Sequence, residues 1–270
     1  GVVTHINRRK YNPILIAITR DGQWLRTKAF PLMKAVADFW VSRVTRNDDG
    51  SYSICNVVGA DEYANGVDDN AFTNGAAIRA LEYACEAARI CNEPVPEIWE
   101  EVGKGIRILR FKDGVTREHA TYNGEMIKQA DVNLLGYPLY FVGDAESQKK
   151  DMEYYVDKID PQNGPAMSYS VFCVQYARMG DAKRSYEMFC RCYQPNLRAP
   201  FGVLAETPTS ANPYFMTGAG GLLQAVINGF CGLQITDGGV EQLSSVLPAH
   251  WKKVTVKGVG PEKKMYVRER

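Results

Sequence analysis

The feature that most constrains the fold is the recurrence of apolar residues every three to four positions along most of the chain. This spacing is typical of amphipathic α-helices. It appears in four segments, 32–44, 78–88, 152–159 and 182–193. Three further segments are apolar around their whole circumference, namely 126–135, 167–176 and 222–230. We expect these three to be helical and buried on more than one side, which predicts a mainly α fold.

The C-terminal end follows a different pattern. Short runs rich in β-branched residues predict strands, separated by glycine-rich turns, at 233–236, 254–259 and 265–267. The sequence therefore predicts two domains. Helical hairpins occupy residues 1–232, and a small β-sheet appendage occupies residues 233–270.

Charge and composition exclude several classes of partner. The chain has 32 Lys and Arg residues against 31 Asp and Glu residues, a net charge of +1, so no overall field attracts nucleic acid or an acidic membrane surface. No apolar run approaches the roughly 20 residues that span a bilayer. We therefore expect no nucleic-acid partner and no membrane partner.

The seven cysteines are odd in number and lie mostly among apolar neighbours at helical spacing. This pattern predicts buried free thiols rather than a disulfide framework, and with them a reducing, cytoplasmic compartment. Cys190 and Cys192 form a C-x-C pair without a second pair at metal spacing, and the three histidines are scattered. We therefore expect neither a metal ion nor another cofactor.

Two long loops interrupt the helical pattern, and loops of this length are usually functional. Residues 59–74 carry four acids and lead into a helix whose expected cap is Thr73 or Asn74. Residues 201–221 carry one acid, Glu206, among aromatics, hydroxyls and glycines. One protonated and one ionised carboxyl group on opposite sides of a pocket are the minimal equipment for hydrolysing a glycosidic bond. On the residues alone, however, an acid-rich loop is more often a solvated surface or a set of helix caps.

Five motifs occur in a fixed order along the chain. They are Asp-Glu-Tyr at 61–63, Val-Asp-Asp-Asn-Ala-Phe-Thr-Asn at 67–74, Lys-Gln-Ala-Asp-Val at 128–132, Gly-Pro-Ala-Met at 164–167 and a glycine-rich segment at 218–233. Together they resemble glycoside hydrolase family 65, and most strongly its group of kojibiose hydrolases and protein-glucosylgalactosylhydroxylysine glucosidases. The resemblance runs from about residue 24 to the C-terminus. It implies an (α/α)6 toroid of helical hairpins that is incomplete in this chain.

The resemblance also implies roles for individual residues. Glu62 matches the general acid of the family, and Glu206 matches the general base that activates water. The implied outcome is inversion, with the two carboxyl groups roughly 6.5–9.5 Å apart. Candidate substrate-binding residues are Lys128, Gln129, Asp61 and Tyr63. The residues alone leave a second interpretation open, in which Lys128 pairs with Asp131 at i,i+3 on a helix surface. Aromatic side chains near the loops either stack on a sugar or anchor the core: Tyr63, Phe72, Tyr214 and Phe215.

The predicted function is inverting hydrolysis of an α-glucosidic bond in a glucosyl disaccharide or a glucosyl-galactosyl unit. One alternative is a disaccharide phosphorylase of the same family, in which hydroxyls replace the base and bind phosphate. The candidate hydroxyls are those of Thr207, Thr209, Ser210 and Thr217. Glu206 argues against this alternative, because an ionised carboxylate repels phosphate. The other alternative is a truncated, non-catalytic relative that acts as a subunit.

The length of the chain raises a further expectation. Compared with the family pattern, the chain begins about a quarter of the way into the barrel. The family's Trp-Asp pair, whose aspartate fixes the substrate, has no counterpart here, because Trp24 is in a different place and is followed by Leu25. We therefore expect a second copy or an N-terminal partner chain to cover the open barrel. Residues 11–19 are predicted to form a short apolar helix on that surface.

Overall fold

The computed structural model describes residues 21–270, except 142–143, 213, 237–238 and 261. Within this range the α-helices are α1 (Gly22–Trp24), α2 (Phe30–Arg43), α3 (Ala71–Cys91), α4 (Glu97–Gly105), α5 (Ala145–Tyr155), α6 (Met167–Arg178), α7 (Ala182–Arg191) and α8 (Met216–Gln224). Two segments are π-helical, Leu25–Ala29 and Ala225–Phe230, and two are 3-10 turns, Val132–Leu134 and Gln194–Asn196.

The described strands are short and pair two by two with their neighbours in the chain. They are β1 (Thr45–Arg46), β2 (Tyr52–Ser53), β3 (Leu197–Arg198), β4 (Val203–Leu204), β5 (Leu233–Thr236), β6 (Gly239–Gln242), β7 (Lys253–Val259) and β8 (Lys264–Glu269). The fold is therefore rich in helix, with small sheets. The toroidal arrangement stays a prediction.

The described residues divide into two compact units. The first consists of the described parts of Gly1–Gly59, Ala64–Tyr122 and Thr236–Gly239, and the second of those of Ala60–Tyr63, Asn123–Ile235 and Val240–Arg270. The domain boundary predicted at residue 232 stays a prediction. The helix predicted over residues 11–19 lies outside the described residues.

The amphipathic segments predicted from the sequence are helices in the structure, and they correspond to α2, α3, α5 and α7. The sequence pattern gives no prediction for α4. This helix has nine residues and buries only Trp99 and Val102. Two buried positions are too few to define a helical period, so the helix is recognisable only in its packing against α3.

In the first unit, α3 packs against α2 and α4 and is buried along most of its length. Its cap is Asn70, whose side-chain oxygen accepts a hydrogen bond from the Thr73 N–H at 2.9 Å. The prediction of Thr73 or Asn74 as the cap is therefore wrong, because both residues lie inside the first turn. The Asn70 side chain satisfies one of the N–H groups that a helix start leaves without a partner.

A buried carboxylate anchors the acid-rich loop ahead of α3. Asp69 is buried and has a left-handed backbone conformation, with φ at 53°. Its carboxylate accepts hydrogen bonds from Arg107 Nη2 at 2.6 Å, Arg107 Nε at 3.0 Å and Ser53 Oγ at 3.2 Å. A buried charge requires such partners, because it has lost its hydration. This acid of the loop therefore has a structural role.

In the second unit, α6 is buried on nearly every side and contacts α7, α8 and the π-helical segment Ala225–Phe230. Two glycines allow this close packing. A Cβ atom at Gly221 would lie 2.5 Å from Ser170 Oγ, and one at Gly229 would lie 3.2 Å from Val174 Cα. The prediction of a buried helix is therefore confirmed for 167–176. Segment 222–230 is helical as predicted, but it is only partly buried, and Leu223 is 61% exposed.

The prediction of a helix over 126–135 is wrong. Only Val132–Leu134 is helical, as a 3-10 turn. The backbone of Ile127 donates to the Lys158 carbonyl at 2.9 Å and accepts from the Asp160 N–H at 2.8 Å, as in a parallel bridge. An apolar run of this length cannot be assigned to a helix or to a buried extended segment from its periodicity alone.

The strands predicted near the C-terminus are confirmed as β5, β7 and β8, and β6 is an addition that the sequence pattern did not predict. β7 and β8 are antiparallel, with Val254 opposite Arg268. Just before β7, Trp251 packs against Phe230 and Phe189, with ring centroids 4.9 and 5.5 Å away. These aromatic contacts attach the appendage to the helical part of the second unit.

All seven cysteines are free thiols, as predicted. Burial raises the pKa of the Cys192 thiol to about 12, so this side chain stays protonated and unreactive at neutral pH. In the part of the chain that the structure describes, no helix is both long enough and apolar enough to cross a bilayer.

The anchor of the acid-rich loop predicts a large difference between two arginine substitutions. Arg107→Met should lower the free energy of unfolding by about 3 kcal/mol, because the Asp69 carboxylate stays buried without its cation. Arg79→Met removes one partner of a more exposed pair, the contact at 2.5 Å with Glu82, and should cost less than about 1 kcal/mol. Urea unfolding of both variants measures the difference. Equal losses would contradict the anchoring role of Asp69.

Candidate active site

The structure brings together three charged side chains that the motifs singled out. Lys128 Nζ forms an ion pair with Glu62 Oε2 and lies 3.9 Å from Glu206 Oε1. Since the ion pair and the 3.9 Å contact share this nitrogen, these two oxygens are less than about 6.5 Å apart. The three side chains come from separate stretches of the second unit. They form one cluster, which we call the charged triad.

The charged triad is partly open to solvent. The exposed fraction is 57% for the Glu62 side chain, 34% for Glu206 and 20% for Lys128. The hydrogen bond to Glu62 raises the pKa of Lys128, which favours its charged form. The triad is therefore a charged surface that a polar ligand can reach.

The alternative pairing of Lys128 with Asp131 on a helix surface is wrong. The segment around Lys128 is not helical, so residues three apart need not share a face. Asp131 is fully buried instead, and its Oδ2 accepts the N–H groups of Ala60 at 2.8 Å and Asp61 at 3.3 Å.

Asp61 makes the reciprocal contact to the segment around Lys128. It is 2% exposed, and its Oδ1 accepts the N–H groups of Lys128 at 2.7 Å and Tyr63 at 3.2 Å. The buried side chain of Gln129 donates to the Ala60 carbonyl. Asp61 and Gln129 thus hold the 59–74 loop and the segment around Lys128 together. Their predicted part in substrate binding stays a prediction.

The ring of Tyr63 is partly exposed, whereas its hydroxyl is bound within the protein. The residue is half exposed, while its hydroxyl donates to Asp160 Oδ2 at 2.7 Å. This bond to a carboxylate raises the pKa of the Tyr63 phenol. The ring face is therefore available to a ligand, but the hydroxyl is already engaged.

Glu206 lies in the loop between β4 and α8 and is held by an asparagine. Its Oε2 accepts from Asn212 Nδ2 at 3.0 Å, and its N–H donates to Asn212 Oδ1 at 3.2 Å. Arg198, at the end of β3, binds backbone carbonyls of the same loop. One nitrogen of Arg198, Nη2, lies 3.0, 2.7 and 3.1 Å from the carbonyl oxygens of Thr207, Pro208 and Ser210.

Sequence reasoning missed both Arg198 and Asn212. Neither residue belongs to a motif, and their partners are backbone atoms or a neighbouring side chain that only the folded loop brings near. The one available signal is that Arg198 has no acid within four positions in the sequence, so a surface helix pair could not explain it.

The hydroxyls proposed as phosphate donors are occupied within this loop. Thr207 Oγ1 accepts from the Ser210 N–H at 3.0 Å and lies 3.3 Å from Thr209 Oγ1. Thr209 Oγ1 also donates to the Gln162 carbonyl at 3.2 Å, and Ser210 Oγ donates to Asn212. The loop therefore presents these three hydroxyls as parts of its own hydrogen-bond network.

Of the remaining aromatic candidates, Tyr214 and Phe215 belong to the same unit as the charged triad, and Phe72 belongs to the first unit. Tyr214 is largely exposed, with a left-handed backbone at φ 63°, and the N–H of Phe215 donates to the Leu204 carbonyl at 2.8 Å. Phe72 is in the first turn of α3 in the first unit. Across the described residues, no group of three or more His, Cys, Asp or Glu side chains is arranged to hold a metal ion.

The contacts of Arg198 predict a mobile loop when its fork is removed. Arg198→Lys keeps the charge but has one nitrogen in place of two, so it cannot bind the Pro195 and Leu197 carbonyls and the loop carbonyls at once, and amide hydrogen exchange over residues 206–212 should rise at least about tenfold. Arg184→Lys, in an exposed pair with Glu153 on α5, is the matched control and should leave this loop unchanged. Unchanged exchange in Arg198→Lys would show that the loop does not depend on this guanidinium.

Comparisons with known proteins agree with the motifs. Residues 11–110 match the family model of the glycosyl hydrolase family 65 central catalytic domain. The chain is 50% identical over 250 residues to a kojibiose hydrolase of Mucilaginibacter mallensis, covering 93% of this chain and 37% of that protein. It is 36% identical over 231 residues to a protein-glucosylgalactosylhydroxylysine glucosidase of Dictyostelium discoideum, covering 83% and 32% respectively.

A solved structure from the human microbiome, provisionally named a kojibiose phosphorylase, has the same fold. It aligns with a TM-score of 0.71 and 17% sequence identity, covering 94% of this chain and 43% of the other. The chain thus spans 37% of the length of the kojibiose hydrolase that it matches. The resemblance to glycosyl hydrolase family 65 that was drawn from the motifs is confirmed by the family model over residues 11–110 and by these relatives.

Proposed function

We propose that this chain carries the acid and the base of a glycosidase that hydrolyses an α-glucosidic bond with inversion. The observation that carries the proposal is the charged triad, in which Glu62 and Glu206 face the same ammonium group. The two facing oxygens are less than about 6.5 Å apart, at the short end of the 6.5–9.5 Å spacing of inverting glycosidases, which hold a water between the base and the sugar.

In the proposed reaction, the Glu62 carboxyl group gives its proton to the glycosidic oxygen as the bond from that oxygen to the anomeric carbon breaks. Glu206 takes a proton from a water molecule that attacks the opposite face of the same carbon. Asn212 keeps one Glu206 oxygen in place, which leaves the other to accept this proton. The products are glucose with inverted configuration and the released acceptor.

Lys128 is the proposed sugar ligand within the charged triad. Its ammonium group has three donors and sits between the two carboxylates, where the hydroxyls of a bound glucose would lie. The exposed ring of Tyr63 next to Glu62 offers a face on which the sugar can stack.

The proposed substrate is a glucosyl disaccharide such as kojibiose, or a glucosyl-galactosyl unit. Support comes from the named activities of the relatives, a kojibiose hydrolase at 50% identity and a glucosylgalactosylhydroxylysine glucosidase at 36%. The second substrate class contains the same terminal glucose on a larger acceptor. The predicted cytoplasmic location and the predicted covering partner stay predictions.

The alternative reaction is phosphorolysis, because the solved structure with the same fold is provisionally named a kojibiose phosphorylase. Three of the candidate hydroxyls are engaged in the loop, and the Glu206 carboxylate stands beside them. Both features are unfavourable for inorganic phosphate, which needs free donors and is repelled by a carboxylate. Glucose release from kojibiose, measured with and without phosphate, decides between the two. Release that requires phosphate and yields a glucose phosphate would overturn the hydrolase proposal.

The mechanism predicts that Glu206→Gln abolishes turnover while sugar binding survives. An amide cannot accept the proton of the attacking water, so kcat should fall by at least about 10²-fold to 10⁴-fold. Binding of the intact disaccharide, measured by calorimetry, should change by less than about threefold in Kd. The control is Glu153→Gln on the exposed face of α5, which should keep full activity. Normal turnover by Glu206→Gln would exclude this residue as the base.

A further inference from the structure

A buried carboxylate outside the recognised motifs lies between the loop that carries Glu62 and the loop that carries Glu206. Asp160 is 9% exposed, and both of its oxygens are engaged. Oδ1 accepts the N–H groups of Gln162 at 2.8 Å and Asn163 at 3.0 Å. Oδ2 accepts the Tyr63 hydroxyl at 2.7 Å and Asn163 Nδ2 at 3.0 Å. The amides of Asn163 and then the Tyr63 hydroxyl hold the pKa of Asp160 well below its usual range, so it remains ionised.

The first link runs from Asp160 to the proposed acid. Tyr63 follows Glu62 directly, and its hydroxyl reaches Asp160 from 97 positions away in the sequence. The Tyr63 N–H is bound at the same time by Asp61. The backbone next to Glu62 is therefore fixed at both ends of the tyrosine.

The second link runs from the same turn to the proposed base. The N–H of Ala166 donates to the Glu206 carbonyl at 3.1 Å. Thr209 Oγ1 donates to the carbonyl of Gln162, the residue whose N–H Asp160 accepts. The turn therefore supports the Glu206 loop through two separate hydrogen bonds.

We propose that Asp160 is a positioning residue that sets the spacing between Glu62 and Glu206. It acts through Tyr63 on the acid side and through the turn at residues 162–166 on the base side. The proposal rests on the proposed function, in which the two carboxyl groups must flank one sugar and one water. Because catalytic geometry must hold within a fraction of an ångström, loss of Asp160 should affect the chemical step more than binding.

Kinetics of kojibiose hydrolysis by the natural full-length protein test the proposal. Asp160→Ala should lower kcat about 100-fold, with KM within about threefold of the unmodified value. Tyr63→Phe should lower kcat about tenfold alone and by less than about twofold in the Asp160→Ala background, because the hydroxyl acts through that carboxylate. Asp160→Asn keeps one oxygen for the two backbone amides and should recover part of the loss.

Two kinetic outcomes would overturn the proposal. Independent, multiplying losses in the double variant would mean that the Tyr63 hydroxyl serves the substrate rather than Asp160. A higher KM with unchanged kcat would mean that Asp160 supports binding alone. Asp181→Ala is the control for general destabilisation, because Asp181 caps α7 and accepts the Arg184 N–H at 2.8 Å. This variant should lower Tm without lowering kcat, and identical behaviour of Asp160→Ala would reduce Asp160 to a structural residue.

Hydrogen exchange separates this proposal from the proposed function. Asp160→Ala should raise amide exchange in both 61–64 and 206–210, whereas Tyr63→Phe should raise it in 61–64 only. Both shifts are expected even if the unmodified protein releases no glucose from kojibiose, in which case the hydrolase assignment alone would fail. Unchanged exchange in either segment of Asp160→Ala would overturn the link between the two loops.

Discussion

The candidate active site depends on a reciprocal exchange between two buried carboxylates. Asp61 accepts the backbone N–H of Lys128, and Asp131 accepts the backbone N–H groups of Ala60 and Asp61. Both carboxylates are buried, so their charges need hydrogen bonds from within the protein, and each accepts at least one from the other segment. These hydrogen bonds fix how the 59–74 loop and the segment around Lys128 lie against each other. Glu62 follows Asp61, and Lys128 is the residue whose N–H Asp61 accepts, so the two side chains emerge side by side.

The same requirement explains why an acid-rich loop contains both structural and candidate catalytic residues. Asp61 and Asp69 are buried and spend their oxygens on N–H groups and a guanidinium, whereas the Glu62 side chain is more than half exposed. The interpretation of these acids as a solvated surface or as helix caps is thus wrong for the two aspartates, which are buried and hold segments of the chain together, while Asn70 caps α3. Glu62 differs in having its carboxylate directed to a flexible ammonium group, which a ligand can displace.

The sequence allowed prediction of the parts of the fold that rest on local periodicity, such as the buried helix α6. It allowed prediction of the charged triad only through motif resemblance, since the three residues lie far apart in the chain. The helix prediction for segment 126–135 failed because its apolar content is equally compatible with a non-helical segment whose backbone bonds to a distant part of the chain, as Ile127 does with Lys158 and Asp160. Asp160 and Arg198 could not be predicted, because their partners are backbone atoms or a tyrosine 97 positions away.

The charged triad also restricts the chemistry of its ligand. Two carboxylates about 6 Å apart repel each other by about 3 kcal/mol at an effective dielectric constant of about 20, and an ammonium within about 4 Å attracts each by about 4 kcal/mol or more. A ligand that occupies the donors of Lys128 removes this compensation and must replace it with donors of its own. A sugar does so, because each hydroxyl both accepts and donates. A phosphate dianion would bind Lys128 and leave two carboxylates facing a third negative charge, so the arrangement favours a neutral polyol over an anion.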